Sequence, residues 1–155
     1  MEPNENILYD EKYDLWWLII TTRRAIGKVR SRELYRLGIT YEESAVLHSI
    51  IELEEPVTPS KLSRHLFREP HSTSKILERM EKKGLVNRET NYVGRKTIKV
   101  GLTEKGLSVL SKAAEPGCVQ RIISTISTAK QTQLGEILTK LRENAIRELG
   151  IYYQP

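Results

Sequence analysis

A chain of 155 residues, 39% hydrophobic and 29% charged, can bury one packed core with helical extensions; that balance excludes a fibrous or disordered chain. The longest apolar run, Leu15 to Ile20, is far short of the roughly 20 residues that cross a bilayer, and no basic segment precedes it. No membrane partner is therefore expected, and the protein is expected to be cytoplasmic. The formal charge is +5, and the lone cysteine, Cys118, can neither close an internal disulfide nor anchor a thiolate metal cluster.

The charge is unevenly placed. Residues 1–57 hold 7 Lys/Arg against 11 Asp/Glu, residues 58–99 hold 11 against 4, and residues 100–155 hold 7 against 5. The basic excess lies in the middle, where a polyanion would be attracted, although a solvated basic surface has the same signature.

In chain order, a first helix is expected from about Asp10 to Leu34. From Leu15 to Ile20 it is apolar on every side, which calls for two packing partners. After a turn at Gly38, Thr40-Tyr41-Glu42-Glu43 has capping-box form and opens a second helix, with Ala45, Leu47, Ile50 and Ile51 as its core face to about Leu53. Thr58-Pro59 supplies an N-cap oxygen and a first-turn proline for a third helix, with Leu62 and Leu66 inward and an end near Phe67. Pro70 opens a fourth helix that runs to Lys83 and is closed by Gly84. The periodicity then shifts from 3.6 to 2, giving strands over Leu85–Thr90 and Thr97–Val100 around a basic tip, Asn91 to Lys96. Thr103 caps a fifth helix, which Pro116-Gly117 interrupts before Ile122, Ile123 and Ile126. A last helix is expected after Thr128, with Gln131 as its capping-box partner. Its apolar seam is Leu134, Ile137, Leu138, Leu141, Ala145 and Leu149.

The fold class expected is mainly helical with a small β hairpin, a winged helix-turn-helix flanked by terminal helices. On the fourth helix, Thr73, Ile76, Leu77 and Met80 share one side. His71, Ser74, Lys75, Glu78 and Lys82 share the other, with Ser72 and Arg79 on its flanks. A helix entering the major groove reads bases chiefly with its N-terminal residues, which makes Ser72, Ser74 and Lys75 the candidate readers, with His71 beside them. Arg95 and Lys96 at the hairpin tip, with Lys99 behind them, suit the minor groove or flanking phosphates. Lys61, Arg64 and Arg68 of the third helix suit the backbone. Double-stranded DNA is thus the expected partner, although each basic residue taken singly is an ordinary surface residue.

The run Leu77-Glu78-Arg79-Met80-Glu81-Lys82-Lys83-Gly84-Leu85-Val86, then a basic hairpin, then Leu102-Thr103-Glu104-Lys105-Gly106, closely resembles the MarR family of multiple-antibiotic-resistance regulators. The resemblance spans nearly the whole chain. It implies one unit over 1–155, with helices at 10–34 and 104–150 for dimerisation and a DNA-binding lobe at 40–102. It further implies a homodimer on a near-palindromic operator, usually a repressor. The family wing usually carries Asp-x-Arg; here Gly94-Arg95-Lys96 stands in its place, so the usual brace is missing. Relatives often hold a small aromatic or phenolic effector between the dimer region and the DNA-binding lobe, which directs attention to Trp16, Arg23 and His48. Tryptophans in an apolar helix are, however, more often core residues. Some relatives sense oxidants through a cysteine near the start of the chain, whereas Cys118 lies late.

No phosphate loop, His-Glu-x-x-His pair or nucleophile elbow is present in the sequence, so no enzyme, cofactor or metal is expected. The competing reading is a winged-helix scaffold that docks a protein rather than DNA. It would expose apolar anchors where this fourth helix offers Ser74, Lys75 and Lys82.

Overall fold

The computed structural model describes residues 10–91 and 97–150. Helix α1 (Glu11–Arg36) starts at Asp10, whose carboxylate accepts from Lys12 N, and carries Glu11 and Asp14 in its first turn, where the helix dipole favours acids. Helix α2 (Tyr41–Glu52) opens on the expected capping box: Glu43 N donates to Thr40 Oγ1 at 3.2 Å and Thr40 N donates to Glu43 Oε2 at 2.9 Å. Helices α3 (Pro59–His65) and α4 (Pro70–Lys82) follow, each with proline in its first turn. Thr58 caps α3 through Lys61 N at 3.2 Å, whereas Glu69 gives α4 no side-chain cap. Strands β1 (Val86–Asn91) and β2 (Thr97–Leu102) form an antiparallel hairpin in which Val86 pairs with Leu102 and Asn91 with Thr97. Helices α5 (Glu104–Ala114), α6 (Cys118–Ile123) and α7 (Thr128–Glu148) complete the chain.

The core lies under α4. Leu34 in the last turn of α1, Ile39 in the connection that follows it, Val46 and Leu47 of α2, Leu62 of α3 and Ile76, Leu77 and Met80 of α4 are buried together with Val86 and Val100 of the hairpin. Val100 N donates to Val57 O at 2.9 Å, which ties β2 to the segment entering α3. Two sequence motifs that lie far apart meet here. Gly84, at φ 69°, lets the chain leave α4 through the left-handed region. Thr103 Oγ1 donates to Gly84 O at 2.6 Å and accepts from Gly106 N at 3.0 Å, while Lys105 Nζ donates to Lys83 O at 2.7 Å. The Lys-Gly-Leu and Thr-Glu-Lys-Gly runs are therefore the two halves of one clasp.

Three expectations need correction. The inward face of α2 is rotated: Val46 is buried with Leu47, Ala45 and Ile50 are only partly covered, and Ile51 is 61% exposed. Val46 and Leu47 pack together with Leu34 and Leu77 in the core, while Ile51, in the last turn of the helix, lies beyond it. Helix α7 has no Thr128–Gln131 capping box. Ser127 is its N-cap, without a side-chain hydrogen bond, and Gln131 Nε2 reaches back to Ile126 O at 2.9 Å and Ile123 O at 3.3 Å, holding the end of α6 instead. Arg68 lies beyond α3, in the turn to α4, where its backbone N donates to Ser63 O at 2.9 Å.

The two terminal helices are left uncovered in the single chain. Leu15, Trp16, Trp17 and Leu18 on α1 are exposed, and so are Leu134, Ile137, Leu138 and Leu141 on α7. Helix α7 buries no residue at all among those described. No helix of the described residues is long and apolar enough to cross a membrane.

Candidate nucleic-acid interface

The sidedness of α4 is as the spacing predicts: Thr73, Ile76, Leu77 and Met80 are buried, while His71, Ser74, Lys75, Glu78, Arg79 and Lys82 are exposed and Ser72 is half-covered. The inward residues fix the rotation of the helix, and that rotation points the polar residues outward. The two ends of the outer face differ electrostatically. At the C-terminal end Lys82 Nζ bonds Glu78 Oε1 at 2.9 Å, and this holds the Glu78 carboxyl below its usual range. At the N-terminal end, His71, Ser72, Ser74 and Lys75 make no side-chain hydrogen bond or ion pair among the described residues. The unpaired donors are thus gathered at the end that would enter a groove first.

The flanking cations are more constrained than their sequence positions indicate. Lys61 Nζ donates to Glu54 O at 3.1 Å, and Arg68 lies 3.8 Å from Glu42. Lys99 Nζ bonds Glu55 Oε2 at 2.7 Å, a pairing that raises the lysine pKa. Arg64 is exposed on α3. Arg95 and Lys96 lie outside the described residues, as does the Gly94 position of the absent wing brace. The base of the hairpin has other supports. Arg88 of β1 makes a two-nitrogen ion pair with Glu81 of α4, lowering the carboxyl pKa and raising that of the guanidinium. The Lys99–Glu55 pair braces the opposite strand.

Two paired carboxylates, Glu43 buried and Glu33 half-buried, were not evident from the sequence beyond the capping role of Glu43. Glu43, whose side chain is 1% exposed, bonds Lys83 Nζ at 2.8 Å and lies 4.0 Å from Arg79 Nε. The signal was a charged residue on the inward side of an amphipathic helix, which must find cations if it is to be buried. Glu33 of α1 accepts from Cys118 N at 2.6 Å and from Arg30 Nη1 at 3.0 Å, with Arg121 at 3.5 Å. The Cys118 thiol and amide, followed by Arg30, depress the Glu33 pKa to about 2; burial first, then Glu33, raises that of Cys118.

A cleft of about 220 Å³ opens between α1, α2 and α6, lined by Ile26, Arg30, Leu34, Tyr41, Ser44, Ala45, His48 and Val119. His48 is thus in it, whereas Trp16 and Arg23 are not among its walls. Trp16 instead packs in an exposed aromatic row with Tyr13 and Trp17, the ring centroids 5.0 and 6.0 Å away, and Arg24 stands over the Trp17 ring at 5.9 Å.

A three-helix lobe, α2 to α4, ending in a two-stranded hairpin, with α3 and α4 set for a groove, defines a winged helix-turn-helix DNA-binding protein. Residues 37–96 match the MarR family, and the chain belongs to the MarR family of DNA-binding transcriptional regulators, which are not enzymes. It is 28% identical over 129 residues to the organic hydroperoxide resistance transcriptional regulator of Bacillus subtilis, covering 83% of this chain and 82% of that one. Among solved structures it is similar to the organohalide-sensing regulator RdhR-CbdbA1625. The ligand-free form has a TM-score of 0.84 at 28% identity over 98% of this chain and 91% of that one. The form bound to 2,4-dichlorophenol has a TM-score of 0.79 at 30% identity over 92% and 85%. A cysteine-to-serine variant of Escherichia coli MarR in complex with operator DNA shares the fold at a TM-score of 0.75 and 23% identity, over 86% of this chain and 97% of that one. Proteins of this family dimerise.

Proposed function

We propose that this protein is a cytoplasmic homodimeric repressor that binds a near-palindromic operator in double-stranded DNA and is released by a small aromatic effector. The observation that carries the proposal is the outer face of α4, whose unpaired His71, Ser72, Ser74 and Lys75 form a polar, basic end on a helix locked into the core by Thr73, Ile76, Leu77 and Met80. Ser72, Ser74 and Lys75 read base edges there, with His71 at the rim. Lys61 and Arg64 face the phosphate backbone, Arg79 flanks the reading face of α4, and Arg95, Lys96 and Lys99 of the wing reach the minor groove or its flanking phosphates. The lobe over 40–102 binds DNA, while 10–34 and 104–150 pair two chains through the apolar residues that the single chain leaves uncovered.

The effector site we favour is the cleft between α1, α2 and α6. It has apolar walls in Ile26, Leu34 and Val119 and polar groups in Arg30, Tyr41, Ser44 and His48, the mixture that orients a small aromatic molecule with one polar or anionic substituent. A relative's structure with 2,4-dichlorophenol supports that chemical class. Trp16 and Arg23 take part only if the second chain brings them to the cleft.

The test is a fluorescence-anisotropy titration against the DNA upstream of the protein's own gene, with scrambled competitor, at two salt concentrations. Binding that beats the competitor and weakens with salt is expected. A random-sequence selection that enriches no motif would overturn the reading in favour of a scaffold.

A further inference from the structure

Glu43 is a charge buried under a DNA-reading helix, and both cations that compensate it come from that helix's C-terminal end. Lys83, the C-cap of α4, donates to Glu43 Oε2 at 2.8 Å and to Gly38 O at 3.0 Å, so it is held twice by the body of the protein. Glu43 Oε2 also accepts from Thr40 N at 2.9 Å, so that oxygen is committed. The other oxygen, Oε1, is buried and accepts no hydrogen bond among the described residues. Its neighbouring cation is Arg79, with Nε at 4.0 Å and a side chain 56% exposed. A half-unsatisfied buried carboxylate attracts a mobile cation strongly, because little water screens it.

Resting on the DNA-binding reading above, we propose that Glu43 is a specificity-determining positioning residue: its buried carboxylate fixes the C-terminal end of α4 and holds Arg79 on the protein, withholding that charge from sequence-independent attraction to phosphate. Glu43 touches no DNA. It acts by subtracting one cation from the interaction any duplex can make, while the unpaired Lys75 end of α4 is left to discriminate. Affinity for random DNA is lowered and the margin between operator and random DNA is widened.

The substitution Glu43→Gln retains a carbonyl oxygen for the Thr40 cap and a side chain of the same size. Lys83 keeps its bond to Gly38 O, so one cation, Arg79, is released. Anisotropy titrations of the full-length protein on a random-sequence duplex over a range of salt compare the wild type, Glu43→Gln, Arg79→Gln and the double variant. We expect Glu43→Gln to tighten random-sequence binding about fivefold and to steepen the log–log salt slope by about 0.9, the value of one phosphate contact. Neither change should occur when Arg79 is also glutamine. A purely structural role for Glu43 would lower Tm and weaken all binding at an unchanged slope, and that result would overturn the proposal, as would steepening that persists without Arg79. Should Glu43→Gln not fold, Arg79→Gln alone decides: a slope within about 0.3 of wild type supports withholding, and a loss of about 0.9 refutes it. Absence of salt-dependent binding by the wild type would instead overturn the DNA-binding reading, and this inference with it.

Discussion

At the scale of single residues, the sharpest constraint is Gly106. A Cβ built there would press into the Leu85 carbonyl, within 3.0 Å of its carbon, and both partners are backbone held in the Thr103–Gly84 clasp. Neither can yield cheaply. Gly106→Ala should therefore destabilise the fold by about 3 kcal/mol, read from urea midpoints; a loss under about 1 kcal/mol would show that the clasp relaxes. Glu33 gives a pH signature. Its folded-state pKa of about 2 lies below the ordinary 4.5, so its contribution is fully present above pH 4.5 and is lost as pH falls toward 2. In Glu33→Gln, stability should fall less steeply across that window than in the wild type, and parallel acid limbs would contradict the assignment. Cys118 is buried and its thiol pKa is raised, so little thiolate forms near neutrality. Iodoacetamide at pH 7.5 should label it no faster than the protein opens, whereas rapid labelling of native protein would reopen the case for redox sensing.

At the scale of elements, α3 and α4 divide the work that DNA binding requires, and their variants should fail differently. Lys75→Ala removes a donor from the reading end of α4 and should cost about 1–3 kcal/mol on the operator while relaxing preference at one base position. Arg64→Ala removes an exposed cation of α3 and should weaken all duplexes alike, lowering the salt slope by about 0.9. Specificity profiles that change equally in the two variants would erase the distinction. The burial of α4 was legible from sequence because four inward residues at helical spacing leave one possible rotation. The strands were legible from alternation, and Thr40, Thr58 and Thr103 from cap chemistry that is local to each. What escaped depends on distant partners. Nothing near Lys99 announces Glu55, and nothing near Glu43 announces Arg79 and Lys83, because those pairs exist only once the chain has folded. The face of α2 was misjudged for a related reason: Val46, Leu47, Ile50 and Ile51 are all apolar, and only the packing decides which of them turn inward.

At the scale of the whole molecule, the uncovered terminal helices make a prediction that joins stability, assembly and sequence reading. Helix α7 buries none of its described residues, yet it presents Leu134, Ile137, Leu138 and Leu141 along one face at 40–56% exposure. An isolated helix with such a face gains little from propensity and much from burial against a partner. If the partner is the same seam of a second chain, a charge placed in its middle must be buried or must prevent pairing. Leu138→Asp should give a monomer at micromolar concentration by sedimentation, with the lobe around Leu34, Leu77 and Met80 still folded, because no residue of α7 contributes to that core. The effect on DNA should then be unequal. A two-fold pair sets its reading helices about 34–36 Å apart on one face of the duplex, so both half-sites are bound in a single event. The monomer keeps its phosphate contacts but loses the second half-site. Operator affinity should therefore fall at least about a hundredfold, while the salt-dependent affinity for random duplex falls far less. A Leu138→Asp protein that remains dimeric would place the interface on α1 and its tryptophans. One that is monomeric yet binds the operator undiminished would mean that a single lobe carries the whole recognition.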